Sequence, residues 1–224
     1  MNMKITFGFR QLSALALSVL LSLTLFSLPA HAFVTQAYQT LLRDNACNNC
    51  DLSGADLAQK DLYGTALNGA NLSNANLSGT LLNDAQLKGA NLTGANLSGT
   101  IMMGVNLSEA NLTGANLSKA DLYNALLSKA KLPTANLTEA DLTEAIISDT
   151  DLSGAVVKSA KLKRAILSRS NLSNTDFSDS YMRNTRLLDA KLTGANFSNA
   201  DLSNSLMPDG TTYNNNVSQF GATR

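Results

Sequence analysis

The stretch "NLTGANLSGT" (91–100) sets Leu92 and Leu97 five residues apart, each two residues after an alanine and directly after an asparagine. A five-residue step suits neither regular backbone. On an α-helix it leaves successive leucines roughly 140° apart, and on a strand it sends them to opposite faces. Yet the spacing persists along most of the 224 residues. Stepping by five from Leu52 to Met207 gives 32 centres, and every one is apolar: 25 Leu, three Met, two Phe, one Ile and one Val. Two residues before the centre (position i−2) stands Ala in 20 cases, Thr in six and Ser in three, and the others are Cys50, Val105 and Lys60. Only Lys60 is neither small nor apolar. Repeats of this regularity decide the architecture before any single residue does.

A backbone that bends once per pentad resolves the puzzle. Every fifth side chain then points to a common axis, and the small i−2 residue fills the little space beside it. Positions i−1, i+1 and i+2 face solvent. The bend needs unusual dihedrals, which suits Gly54, Gly64, Gly94, Gly114, Gly154 and Gly194, with Asn74 and Asn174, at i+2. Exceptional residues recur at intervals of twenty. Leu126, Ile146 and Ile166 occupy the normally polar i−1 position, as do Leu81 and Ile101, and Phe177 and Phe197 replace the central leucine. Twenty residues per circuit means four pentads per coil and eight coils. At the usual β spacing the rod is on the order of 40 Å long.

These repeats, over 50–209, follow the motif A(D/N)LXX, and the chain resembles the pentapeptide-repeat family. The resemblance implies an all-β solenoid, a right-handed quadrilateral β-helix with stacked short β-bridges on four faces and ladders of Leu or Phe inside. The leader, a short helix, "NACNNCDLSGADL" (45–57) and "MPDGTTYN" (207–214) together are similar to secreted cyanobacterial members, which implies the thylakoid lumen or the periplasm.

The ends differ from the repeat. Lys4 and Arg10 precede the apolar stretch 12–29, and Ala30-His31-Ala32 follows, which reads as a signal peptide (1–32) cut after Ala32. An uncleaved anchor is the other reading, but serines and a threonine interrupt a run near the lower limit of spanning length. The remaining chain carries 15 basic and 17 acidic residues, a net charge near −2, and has no histidine. In 33–46, Val34, Ala37, Tyr38, Leu41 and Leu42 line one helical face, so a capping helix is expected against the first repeats. The repeats occupy 47–209, and a polar tail, 210–224, finishes the other end.

Few residues offer chemistry. Cys47 and Cys50 are the only thiols, and both point inward in the repeat register. Export favours a structural disulfide; free thiols or a redox pair are the alternatives. Two cysteines without histidine do not complete a zinc site. Asp51, Asp56, Asp61, Asp121, Asp141, Asp151 and Asp201 all sit at i−1 and read as solvated faces. Acid–base catalysis needs a cleft, and serine nucleophiles need a base. An enzyme, a cofactor, a metal and a small-molecule substrate are therefore not expected. The "NLS" and "NLT" triplets are spelled by the repeat and are not read as glycosylation sites.

Surface departures carry the functional expectation. Leu126, Ile146 and Ile166 form one outward apolar stripe, and Leu81, Ile101, Met103 and Tyr123 lie on an adjoining face, together an interaction patch. Basic residues (Lys158, Lys161, Lys163, Arg164, Arg169, Arg183, Arg186) follow acidic ones (Glu139, Asp141, Glu144, Asp149, Asp151) without interleaved aromatics, so no nucleic-acid groove is expected. The leading reading is a non-catalytic structural or interaction rod that binds an unknown protein partner or forms a homo-oligomer, and that meets a membrane only through its leader during export. The alternative is a DNA mimic, as in the pentapeptide-repeat proteins that protect DNA gyrase. Near-neutral charge and the leader oppose it.

Overall fold

The structure, a computed structural model, describes residues 30–223. The apolar part of the expected signal peptide lies outside them. Parallel β-bridges join residues twenty apart, from Ala46↔Ala66 to Arg186↔Leu206. The bridging residue is always i−1, so each flat side of the rod is a column of i−1 residues and each corner holds i+1 and i+2. We number the sides by their columns. Side 1 carries Asp51, Asn71 and their successors; side 2 begins with Asp56, side 3 with Asp61 and side 4 with Ala46. Coils are numbered from coil one (50–69) in steps of twenty.

The backbone accounting is complete for a representative pentad. The Asn71 N–H donates down to Cys50 O (2.8 Å), Leu72 N–H donates up to Asn91 O (2.7 Å), and Asn74 N–H donates up to Thr93 O (2.9 Å). Ala75 N–H closes the corner on Leu72 O at 3.0 Å. The one donor left, Ser73 N–H, is taken by the Asn71 side chain (Oδ1, 3.2 Å). This is why Asn or Asp precedes most central leucines: its carboxamide or carboxylate caps the corner, as in an Asx-turn. The amide also donates to the rung beneath, Asn71 Nδ2 to Asp51 Oδ1 (2.9 Å) and Asn91 Nδ2 to Asn71 Oδ1 (3.1 Å). Aspartate can only accept. Accordingly Asp51 and Asp56 stand at the foot of asparagine runs, and Asp151 and Asp176 each stand beneath one asparagine, Asn171 and Asn196.

All 32 central side chains are buried, none more than 3% exposed. Phe177 and Phe197 stack inside with ring centroids 5.2 Å apart. Val157, twenty residues before Phe177, is the smallest central residue, and a void of about 10 Å³ that it helps to line has room for at most one water. Inward hydroxyls at i−2 donate to carbonyls of the coil below, for example Thr80 to Leu57 O (2.8 Å) and Thr175 to Leu152 O (2.8 Å). Lys60, the exception in the sequence, is exposed because its i−2 column starts there, with no coil beneath.

Every i+2 residue from Asn49 to Asn204 has positive φ, which with the corner hydrogen bond places the turns in the type II class. Glycine and asparagine were the expected occupants. The structure adds Glu, Lys, Arg, Asp, Gln, Ser and Thr134 (φ 58°). Inter-coil bonding imposes the conformation whatever the side chain, and a β-branched residue is the most strained.

The ends are built differently. Helix α1 spans Ala30–Asp44, not 33–46, and stops where Asn45 turns to φ 48°. Leu41 is fully buried and Ala37 and Tyr38 pack on the column, but Leu42 stays 46% exposed, outside the expected stripe. The segment after 209 is more than a polar tail. Thr223 pairs with Asn196 in parallel, Thr212 pairs with Leu206 antiparallel, and Val217 and Ala222 are buried. No helix among the described residues is long and apolar enough to cross a membrane.

Two outcomes follow. Leu97→Ala opens a cavity in mid-column and should lower unfolding free energy by about 3 kcal/mol or more in urea titration. Thr134→Gly relieves its corner and should raise it by about 0.5–1 kcal/mol. An equal loss on Thr134→Gly contradicts the strain argument.

Candidate functional site

The four sides are chemically unequal. Sides 1 and 2, which are adjacent, are mainly asparagine ladders, with Asn76, Asn96, Asn116 and Asn136 bonded in sequence on side 2. Sides 3 and 4, also adjacent, abandon the ladder. On side 4, Leu126, Ile146 and Ile166 are bridged one above another. On side 3, Leu81 and Ile101 are bridged. Met103 and Tyr123 do not lie on side 3 as expected; they occupy the corner between sides 3 and 4, because i+1 residues are corner residues. The seven residues therefore form a diagonal band, climbing from side 3 across the corner to side 4. Leu81, Ile101, Met103, Tyr123 and Leu126 are 37–40% exposed, and Ile146 and Ile166 are half-buried.

Tyr63, 60% exposed, belongs to the same corner and was missed by sequence reasoning. It stands forty residues before Met103 and sixty before Tyr123, so the twenty-residue period contained the signal. With Asn83, Asp84, Met103, Gly104, Tyr123 and Asn124 it lines a shallow open groove. Gly104 keeps that groove passable: a Cβ there, at φ +66°, would lie 2.6 Å from Asp84 Oδ1. A second depression, lined by Ile166, Arg186, Leu188 and Leu206, lies near the C-terminal end of side 4.

After Ile101, where the asparagine cap is absent, the corner N–H of Met103 donates instead to Asn83 Oδ1 of the coil below (2.9 Å). Ile101 thus stands at i−1 on side 3 without an orphaned corner donor.

The charged residues pair between coils. The expected zoning is a basic coil stacked on an acidic one: Lys161–Asp141 (3.2 Å), Arg164–Glu144 (2.7 Å) and Arg169–Asp149 (2.8 Å). Lys158 pairs upward with Asp179 and Arg183 with Asp201, both at 3.5 Å. The Tyr123 hydroxyl donates to Glu144 (3.0 Å), and that bond holds the phenol above its ordinary value. The Arg169 guanidinium, bonded to both Asp149 oxygens, holds that carboxyl below the usual range. Hydroxyl and backbone N–H donors of Ser53, Ser203 and Thr211 do the same for Asp51, Asp201 and Asp209. Partial burial works to raise Asp141, but bonds from Thr143 and Lys161 outweigh it. These depressed carboxylates serve caps and ion pairs. Among the described residues no group of three or more His, Cys, Asp or Glu could hold a metal ion. Cys47 and Cys50 are joined, with Cα atoms 5.4 Å apart, and the Cys47 sulfur lies 3.4 Å from Ala37 O of α1.

The repeat, its corners and its inward column define the class. The family described as pentapeptide repeats matches residues 47–84, 81–118, 120–158 and 170–207, and the chain belongs to it. Its members fold as right-handed quadrilateral β-helices. Among solved structures, the chain is similar to HetL, involved in heterocyst differentiation regulation in Nostoc, at 27% identity over 75% of this chain and 87% of that one (TM-score 0.35). It is similar to a pentapeptide repeat protein of the Arabidopsis thaliana thylakoid lumen at 24% identity over 71% of this chain and 85% of that one (TM-score 0.26). It is also similar to full-length QnrB1, a plasmid-mediated fluoroquinolone resistance protein, at 20% identity over 79% and 85% (TM-score 0.37). Among curated proteins, none matches the sequence.

The depressed carboxylates predict an acid limb. A carboxylate whose folded value lies below its unfolded one stabilises the fold above about pH 4 and loses that contribution as pH falls through the folded value. The melting temperature by circular dichroism should be level from about pH 7 to 5 and fall steadily below about pH 4. A rise on acidification contradicts the assignment.

Proposed function

We propose that the chain is a non-catalytic rod of eight coils, covered by α1 at its first end, that holds a protein partner or a second copy through the diagonal band. One observation carries this reading: the departures from the asparagine ladder that expose large apolar groups concentrate on two adjacent sides. A stack of coils needs no outward leucine or isoleucine, and solvent-facing apolar groups in one contiguous band mark contact surfaces.

Export is the second part of the proposal. Basic residues, an apolar stretch and Ala30-His31-Ala32 form a leader cut after Ala32, within the first turn of α1, and the destination is the thylakoid lumen or the periplasm. The Cys47–Cys50 link suits such a compartment, where it pins the start of the repeats beneath α1. A DNA mimic acting on a topoisomerase would need an acidic surface. Here Asp141, Glu144 and Asp149 are each neutralised by a cation in the next coil.

Capture from an extract of the host compartment tests the band. The full chain and Ser118→Asp, on the corner after side 2, should recover the same partner; Ile146→Asp should recover at least tenfold less. Identical profiles for all three remove the band from the function.

A further inference from the structure

Side 4 is bordered by a corner with an unusual charge sequence. Its charged residues read Lys88 at i+1, then Glu109, Lys129, Asp149, Arg169 and Asp189 at i+2, one per coil from coil two to coil seven, all exposed. The sign alternates at every level. Part of this serves the rod itself, through Lys88–Glu109 (3.4 Å) and Arg169–Asp149 (2.8 Å). Lys129 and Asp189 form no ion pair within 4.0 Å among the described residues.

Six alternating charges have a further property. Read from the opposite end, the sign is reversed at every level. Rotate a second copy about an axis crossing side 4 between Leu126 and Ile146, so that the rods run antiparallel. Coil four then lies on coil five, three on six and two on seven. Lys129 meets Asp149, Glu109 meets Arg169 and Lys88 meets Asp189, each twice by symmetry. Leu126 of each copy meets Ile146 of the other. Around the opposite edge of side 4, Lys163 on the corner and Arg186 on side 4 itself form no ion pair among the described residues, and neither do Asp84 on that corner and Asp121 on side 3. The same rotation lays Lys163 on coil three, between the levels of Asp84 and Asp121, and Arg186 on coil two, at the level of Asp84.

The parallel alternative fails on the same residues. A two-fold axis along the rod brings the two corners of side 4 together at equal height. Asp149 then faces Glu144, and Arg169 faces Arg164, like against like beside Ile146 and Ile166. Side 3 does not share the antiparallel complementarity either, since coil four on coil five sets Asp121 against Asp141.

We infer that side 4 is a self-association face, on which a second copy of this chain docks antiparallel about a two-fold axis between Leu126 and Ile146. Such a contact is isologous and closed, so it ends at a dimer. The inference rests on the reading of the band as a contact surface and names its occupant.

Light scattering on the full chain after size exclusion tests it, with every variant carrying the same N-terminus. At about 100 µM the wild type should have the mass of a dimer. Ile146→Asp, Lys129→Glu and Asp149→Lys should each weaken the dimer tenfold or more. The double variant Lys129→Glu/Asp149→Lys should recover it to within about threefold, because the pair across the axis again has opposite signs. That double change sets Glu at 129 beside Glu109 within each rod, so recovery cannot come from a more stable rod. A monomeric wild type, a dimer indifferent to the single variants, or a double variant no better than the singles overturns the inference. If the wild type is monomeric while Ile146→Asp still abolishes partner capture, the second copy is excluded and the contact face stands. If neither responds, both fall.

Discussion

The structure depends on the hydrogen bonding between successive coils. Three backbone bonds per pentad tie each residue to its counterpart twenty positions away, as Asn71, Leu72 and Asn74 illustrate. That pairing fixes the register absolutely: a slip by one residue would turn every leucine outward. It also forces a corner after each central residue, so that even Thr134 and Arg164 adopt positive φ. Local preference yields to the ladder because one strained dihedral costs less than the inter-coil bonds around it.

The same pairing turns sequence into vertical columns. A residue's neighbours are those twenty before and twenty after, so the useful unit of comparison is the column. Asparagine runs on sides 1 and 2 are columns in which each amide caps its own corner and bonds the rung beneath. Sides 3 and 4 give up part of that bonding, and gain outward leucine, isoleucine, methionine and tyrosine. The stability of a solenoid is spread over its coils, so one half of its surface can depart from the consensus without loss of the fold. Surface ion pairs such as Arg164–Glu144 are exposed and contribute little to stability. Their placement matters more for which surfaces can meet.

Much of this was legible in the sequence. The pentad and the twenty-residue recurrence of Phe177 with Phe197, or of Ile146 with Ile166, predicted the inward column and the stacked stripe. Positions whose meaning depends on a neighbour in another coil are less legible. Met103 and Tyr123 read as side residues but stand on a corner. Tyr63 lies in their column, sixty residues before Tyr123. The tail read as polar, yet Val217 and Ala222 are buried where it folds over the last coil. A terminal segment has no period to reveal its partner.

By itself the sequence determined the inward residues, the length of a circuit and the sites of the corners, because a strict period admits one closed arrangement of its apolar groups. Only the tertiary structure decided the roles of the remaining residues. Whether an aspartate is the foot of an asparagine ladder, a lysine has a carboxylate beneath it, or an isoleucine lies beside an alternating row of charge depends on contacts between residues twenty apart. Those contacts exist only once the coils are stacked.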